Sequence, residues 1–146
     1  MPVYTYDPSK VELRIATYKL PGCSSISASF DVKPFKTVQG IRGTAARVRD
    51  KRKQVNIQVT VLQTSMTNSV LSEIHRLDCA HGTGRMEITL QDLSGETLLY
   101  SDTAYIEGYP DFEFTSEAGT RTWVIKCMTS RDVKVGSNFK AAIDLF

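Results

Sequence analysis

Apolar and polar side chains alternate with a period of two over most of this chain, the mark of strands with one buried face. Val11, Leu13 and Ile15 alternate with Glu12 and Arg14, and Pro21-Gly22 closes that first strand with a turn. Ile26, Ala28, Phe30 and Val32 alternate with Ser27, Ser29 and Asp31. The strongest strand starts at Val55, where Val55, Ile57, Val59 and Val61 alternate with Asn56, Gln58 and Thr60. Met86, Ile88 and Leu90 form another, and "DLSGE" at 92–96 predicts a hairpin turn into "TLLYSDTAYIEGY". Trp123, Ile125 and Cys127 share one face of the last clear strand.

One segment breaks this rule. In "TSMTNSVLSEIHRLD", Val70, Leu71, Ile74 and Leu77 fall at a helical spacing. Ser65, Thr67 or Asn68 is positioned to cap a short helix of near three turns, which "CAHGTG" is expected to end. Seven or so strands with one helix predict a mainly β fold, an antiparallel β-barrel or sandwich with one short flanking helix. Length and composition place it in a single domain, 1–146, with 41% hydrophobic and 23% charged residues. The polar faces are unusual in being small and uncharged: Ser27, Ser29, Asn56, Gln58, Thr60, Thr89 and Gln91. Such a surface suits contact with another subunit or the wall of a wet channel, and it also suits the ordinary strand preference of threonine.

Charge changes the picture through its distribution, since the net value is only +2. From Lys10 to Lys53 there are eleven Lys/Arg and three acids, whereas Met86 to Thr120 holds eight acids and no Lys or Arg. Two solvated surfaces explain this, and so does self-complementarity between copies. The densest cations, Arg47, Arg49, Lys51, Arg52 and Lys53, precede the strand at Val55 and predict the tip of a long hairpin, with "TAARVRD" and "VNIQVTV" as its arms. As a nucleic-acid grip the run is poor, because residues 36–76 contain no Phe, Tyr or Trp on which a base stacks. An OB-like nucleic-acid-binding module is the rival reading from another functional class.

Catalytic signatures are missing: there is no GxSxG, P-loop, GxGxxG or HExxH. "HRLDCAH" brings His75, Cys79 and His81 together in sequence, but no fourth ligand follows at a metal-site spacing. The expectation is a non-enzyme with no catalytic residues, no metal and no cofactor. Three scattered cysteines (Cys23, Cys79, Cys127), no secretory pattern at the start and no apolar run near ~20 residues predict a soluble protein made inside the cell, with no membrane span.

Three stretches carry a resemblance. "YDPSKVELRI", "VQGIRGTAARVRDKRKQVNIQVTVLQTSMTNSVLSEIHRL" and "TWVIKCMTSRDVKVG" resemble, in order and nearly end to end, the tail-tube and tube-like baseplate structural proteins of contractile-tailed bacteriophages. That resemblance implies a virion protein of the viral tail, assembled in the cytoplasm of a host bacterium. It implies self-assembly as hexameric rings that stack into the inner tube, a conduit for DNA inside a contractile sheath. Sheath, tape-measure and baseplate proteins are the implied partners, and DNA passes the lumen without specific binding. It also implies that the hairpin bearing Arg47, Arg49, Lys51, Arg52 and Lys53 contacts a neighbouring subunit. Asp102, Glu107, Asp111 and Glu113 are the candidate acidic counterparts. A baseplate protein that initiates the tube is the close alternative.

Overall fold

Each alternating segment has one apolar face, and those faces leave water together only if the strands wrap a common core. The computed structural model describes Val3, residues 5–128 and residues 130–138. A short 3-10 turn at Pro8–Lys10, capped by Asp7, leads into β1 (Val11–Ile15), β2 (Tyr18–Lys19) and β3 (Cys23–Ser29). Then come β4 (Phe35–Gln39), β5 (Ala45–Arg49), β6 (Val55–Leu62) and α1 (Met66–His81). The chain continues through β7 (Met86–Asp92), β8 (Leu98–Ile106), β9 (Thr120–Cys127) and β10 (Ser130–Lys134).

The main sheet is antiparallel, in the order β2-β1-β7-β8-β9-β6-β3. Along one side of β8 runs β7. Its other side pairs with β9 at 104–106 and with β10 at 98–101, so the sheet divides there. Leu13 and Ile15 of β1 join one core with Val55, Ile57, Val59 and Val61 of β6, although three strands separate β1 from β6 in the sheet. A sheet shares a single core across that span only by curling. Among the described residues, the expected mainly β fold with one flanking α-helix is what forms.

The turn at 92–96 forms as expected, with Asp92 N–H donating to Thr97 O at 3.0 Å. β6 is buried at every odd position, as its alternation demands. Three expectations are corrected. First, "TAARVRD" does not pair with "VNIQVTV": β5 pairs with β4, and β6 lies between β3 and β9. The hairpin is therefore Phe35–Arg49, its tip is Gly40–Thr44, and the residues 49–53 sit at its base. The reason is that β6 has an apolar face of four fully buried residues, which is better spent in the main sheet than on a solvent-exposed ribbon.

Second, α1 has 16 residues, beyond the expected three turns, and runs through Cys79 to a left-handed cap at Gly82 (φ +67°). Its buried face is Thr67, Asn68, Leu71 and His75, while Leu77 is exposed. The helix is rotated toward its polar side because Asn68 and Thr67 satisfy buried backbone carbonyls there. Of the three candidate caps, Ser65 holds the position, accepting from Thr67 N–H at 3.2 Å. Third, the strand of Trp123, Ile125 and Cys127 is followed by another: β10 pairs along the edge of β8 that β9 leaves open.

The small polar residues divide between two surfaces. Ser25, Ser27 and Ser29 of β3 lie in register with Thr60, Gln58 and Asn56 of β6, and these with Thr122, Val124 and Lys126 of β9. This makes a nearly uncharged three-stranded face. Thr89 and Gln91 belong elsewhere, beside Arg14 and Glu12 of β1. There Glu12 is clamped by Arg14 (2.6 Å) and Lys19 (3.4 Å). Burial works to raise the Glu12 carboxyl, but the hydrogen bonds from Arg14 and Lys19 outweigh it and hold the group below its usual range.

Candidate functional site

Two surfaces of this molecule are unlike the rest. The first is the β4–β5 ribbon, a two-stranded sheet separate from the main one, with every residue of both strands exposed. The register places Phe35 opposite Arg49 and Thr37 opposite Arg47 on one face. Lys36 opposite Val48 and Val38 opposite Ala46 occupy the other. One face is thus cationic and aromatic, with Arg47 lying over the Phe35 ring at 4.2 Å. The other is largely apolar, with Val38 and Val48 about half exposed at 49% and 51%. The tip is tight: Gly40 N–H donates to Thr44 O (2.7 Å), Gly43 takes φ +81°, and Ile41 stands wholly in solvent. Five-residue arms of about 3.3 Å per residue extend roughly 17 Å, far enough to meet another molecule. Backbone donation from Asp50 to Pro34 (2.7 Å) closes the base.

Of the five predicted cations, Arg47 and Arg49 ride the ribbon, and Lys51, Arg52 and Lys53 lie in the link to β6. Arg52 is occupied by Asp50 through three side-chain hydrogen bonds, of which the shortest is the 2.8 Å ion pair. Those bonds, with the Arg52 backbone N–H, hold the Asp50 carboxyl at about 2. Lys33, Lys36, Arg49 and Lys51 line a hollow of about 560 Å³, but Asp31 and Asp50 interleave with them. Arg47 already covers one face of Phe35, which leaves less of that ring for a base to stack on.

The second surface is the segment 107–119 between β8 and β9. Of the four predicted acids, Glu107, Asp111 and Glu113 fall together on it, all exposed, while Asp102 is half-buried on β8. Asp111 and Glu113 line a polar hollow of about 370 Å³ with Gln63 and Gly119. Alternating with the acids are Tyr109, Phe112 and Phe114. Tyr109 stands edge-on to His75 at 4.5 Å and near Trp123 at 6.4 Å. Phe112 and Phe114 contact each other at 5.7 Å, and Arg121 lies over both rings at the same distance. These rings and the foot of α1 enclose an apolar groove of about 480 Å³. The sequence reading passed over Ile41, Val38 and the three aromatics. Two signals were there: glycines three apart at 40 and 43, and rings spaced by two in "PDFEF".

His75 and Cys79 approach to 3.5 Å on successive turns, but among the described residues no cluster of three metal-ligating side chains forms. Among the same residues no helix is long and apolar enough to cross a membrane.

No protein-family model matches the chain. It is 32% identical over 149 residues to structural protein ORF10 of Pseudomonas phage KPP10, covering 94% of this chain and 86% of that one. In fold it is similar to a chain of the anti-feeding prophage cap, a tube terminating cap (TM-score 0.61, 13% identity, 92% of this chain and 95% of that one). A chain of the sheath-tube complex of an extracellular contractile injection system is as similar (TM-score 0.61, 13% identity, 88% and 90%). A chain from the virion of a native gene transfer agent follows (TM-score 0.57, 10% identity, 91% and 98%).

Proposed function

This chain belongs to the family of phage structural proteins that includes ORF10 of Pseudomonas phage KPP10, and from that premise we propose that it is a tail-tube-type subunit of the virion. In this reading copies of the chain form rings, hexameric by analogy with the tail-tube resemblance, that stack as the inner tube within a contractile sheath. The observation that carries it is the β4–β5 ribbon. A two-stranded hairpin outside the main sheet, with Val38, Val48 and Ile41 in solvent, is marginal alone and is supported once another surface covers its apolar side. Arg47 and Arg49 on the opposite side then set orientation more than affinity.

A second feature agrees. β3 is an edge strand of the main sheet without a single charged residue, proline or bulge facing outward from 25 to 29. Monomeric proteins blunt such edges, and a subunit that pairs with neighbours has no need to. The face of β3, β6 and β9, on which Lys126 is the one charge among the paired residues named above, suits the wall of a conduit that DNA passes without being held.

The tube terminating cap among the similar structures supports a close second reading, in which the same subunit forms the ring that ends the tube. Sheath and other tail proteins are partners under either. Electron microscopy of the purified chain over a range of concentration and salt tests the common core of both. Rings or hollow tubes are expected, and Arg47→Glu/Arg49→Glu is expected to leave dispersed, folded monomers. A wild-type chain that stays monomeric throughout, or a variant that assembles normally, would overturn the ribbon's role. Copy number per virion separates the readings, since a tube requires many rings and a cap requires one.

A further inference from the structure

We propose that the groove between the foot of α1 and the segment 107–119 receives the tip of the β4–β5 hairpin from a second copy of this chain, an inference that rests on the hairpin being a contact between copies. Both surfaces are apolar and uncovered, and each lacks what the other presents. The hairpin ends in a narrow loop whose single large apolar side chain, Ile41, touches nothing. The groove, of about 480 Å³, is walled by Tyr109, Phe112, Phe114 and Trp123, and it lies within the volume range of sites that bury a ligand.

Charge selects the occupant. The segment 107–119 carries four acids (Glu107, Asp111, Glu113, Glu117) and no Lys or Arg. The hairpin and its base, 33–53, carry eight Lys/Arg and one acid. Ile41 in the aromatic groove, with Arg42 and the cations of the arms near the carboxylates that flank it, gives attraction and register together. Arg121, the cation of the groove wall, lies over Phe112 and Phe114, and the uncharged Ile41 brings no like charge against it. Donor and acceptor are different patches on the same chain. The contact is therefore heterologous, the kind that closes rings or propagates filaments.

The decisive experiment is a cross-link in trans. Copies carrying Ile41→Cys and copies carrying Ser72→Cys, each with a different tag and with the exposed Cys79 changed to Ser, are mixed under assembling conditions and oxidised; Ser72 lines the groove. A disulfide-linked pair bearing both tags is expected, and is lost when Thr17→Cys, on the exposed β1–β2 turn, replaces Ile41→Cys. Assembly is read in parallel for Ile41→Asp, for the groove-filling Ser72→Trp, and for Phe114→Lys on a side chain already 73% exposed. Loss of assembly in all three with the fold retained supports the inference. Loss with Ile41→Asp alone and no cross-link would overturn the groove as acceptor and leave the hairpin's role standing. Loss with the groove variants alone assigns the groove to a different occupant and overturns it too. Normal assembly in all three would sink both readings.

Discussion

The indole Nε1 of Trp123 donates to Oδ1 of Asn68 at 3.0 Å, tying β9 to the first turn of α1 across 55 residues of sequence. The amide of Asn68 in turn donates to the carbonyls of Leu62 (2.9 Å), Gln63 (3.2 Å) and Ser65 (3.3 Å). One buried side chain thereby sets where the β6 strand ends, where the helix begins and how the groove wall stands. Asn68→Ala leaves the indole donor and these carbonyls short of a partner, and is expected to cost about 2–4 kcal/mol by denaturant unfolding. Trp123→Phe keeps most of the ring and should cost less. The double variant is expected to fall short of additivity by about 1 kcal/mol.

Gly22 and Gly82 both take positive φ, and the surroundings separate them. A Cβ on Gly22 would lie 2.6 Å from Ser65 Cβ and Oγ, the residue that caps α1 and donates to Pro21 O at 2.6 Å. A Cβ on Gly82 meets nothing within 4 Å. Gly82→Ala should therefore cost only its backbone strain, about 1 kcal/mol. Gly22→Ala should cost clearly more, because strain and the loss of the helix cap add. Thermal melting of the two variants side by side checks the order.

The Asp50–Arg52 pair sets an acid limit. The Asp50 carboxyl titrates at about 2 against an ordinary 3.8, so the folded chain binds fewer protons than the unfolded one between those values. Its stabilisation is complete above the unfolded value and fades as pH falls toward 2. Arg52→Gln removes the guanidinium but keeps the backbone N–H of residue 52 on Asp50, so the carboxyl should titrate higher than in wild type while staying below its ordinary value. Carboxyl titration by NMR of the monomeric form is the measurement, and a wild-type midpoint near 3.8 would refute the hydrogen-bonded geometry at the ribbon's base.

Asp111→Asn/Glu113→Gln removes two exposed charges from the groove segment without touching the core. Unfolding free energy should stay within about 0.5 kcal/mol of wild type. Assembly should slow and lose part of its sensitivity to added salt, since salt at about 0.1 M largely screens exposed charges more than ~10 Å apart. Light scattering at two salt concentrations reads both effects.

Much of the fold was legible because burial repeats with a strand's period. Val55, Ile57, Val59 and Val61 announced β6, and Trp123, Ile125 and Cys127 announced β9, since each presents its whole apolar set to one side. β4 and β5 were harder to read, as a ribbon with no buried face is held to no apolar pattern. β10 was invisible for a different reason: its place is set by the open edge of β8. The acids and cations of the candidate surfaces were found by counting charge. The apolar residues between them, Ile41 and Phe114 among them, were read as loop.

Residue order alone thus dictated the mainly β class, the single helix, the strands of the core and the opposed charges of the two halves, because these follow from local periodicity and composition. Strand pairing, the rotation of α1 and the position of the hairpin tip belong to the folded whole. Any of several strands satisfies the backbone of β5, and the competition for buried area awarded β6 to the core and left β5 with β4. That outcome put Ile41, rather than the Arg/Lys run, at the point where this molecule reaches furthest from its own ribbon arms.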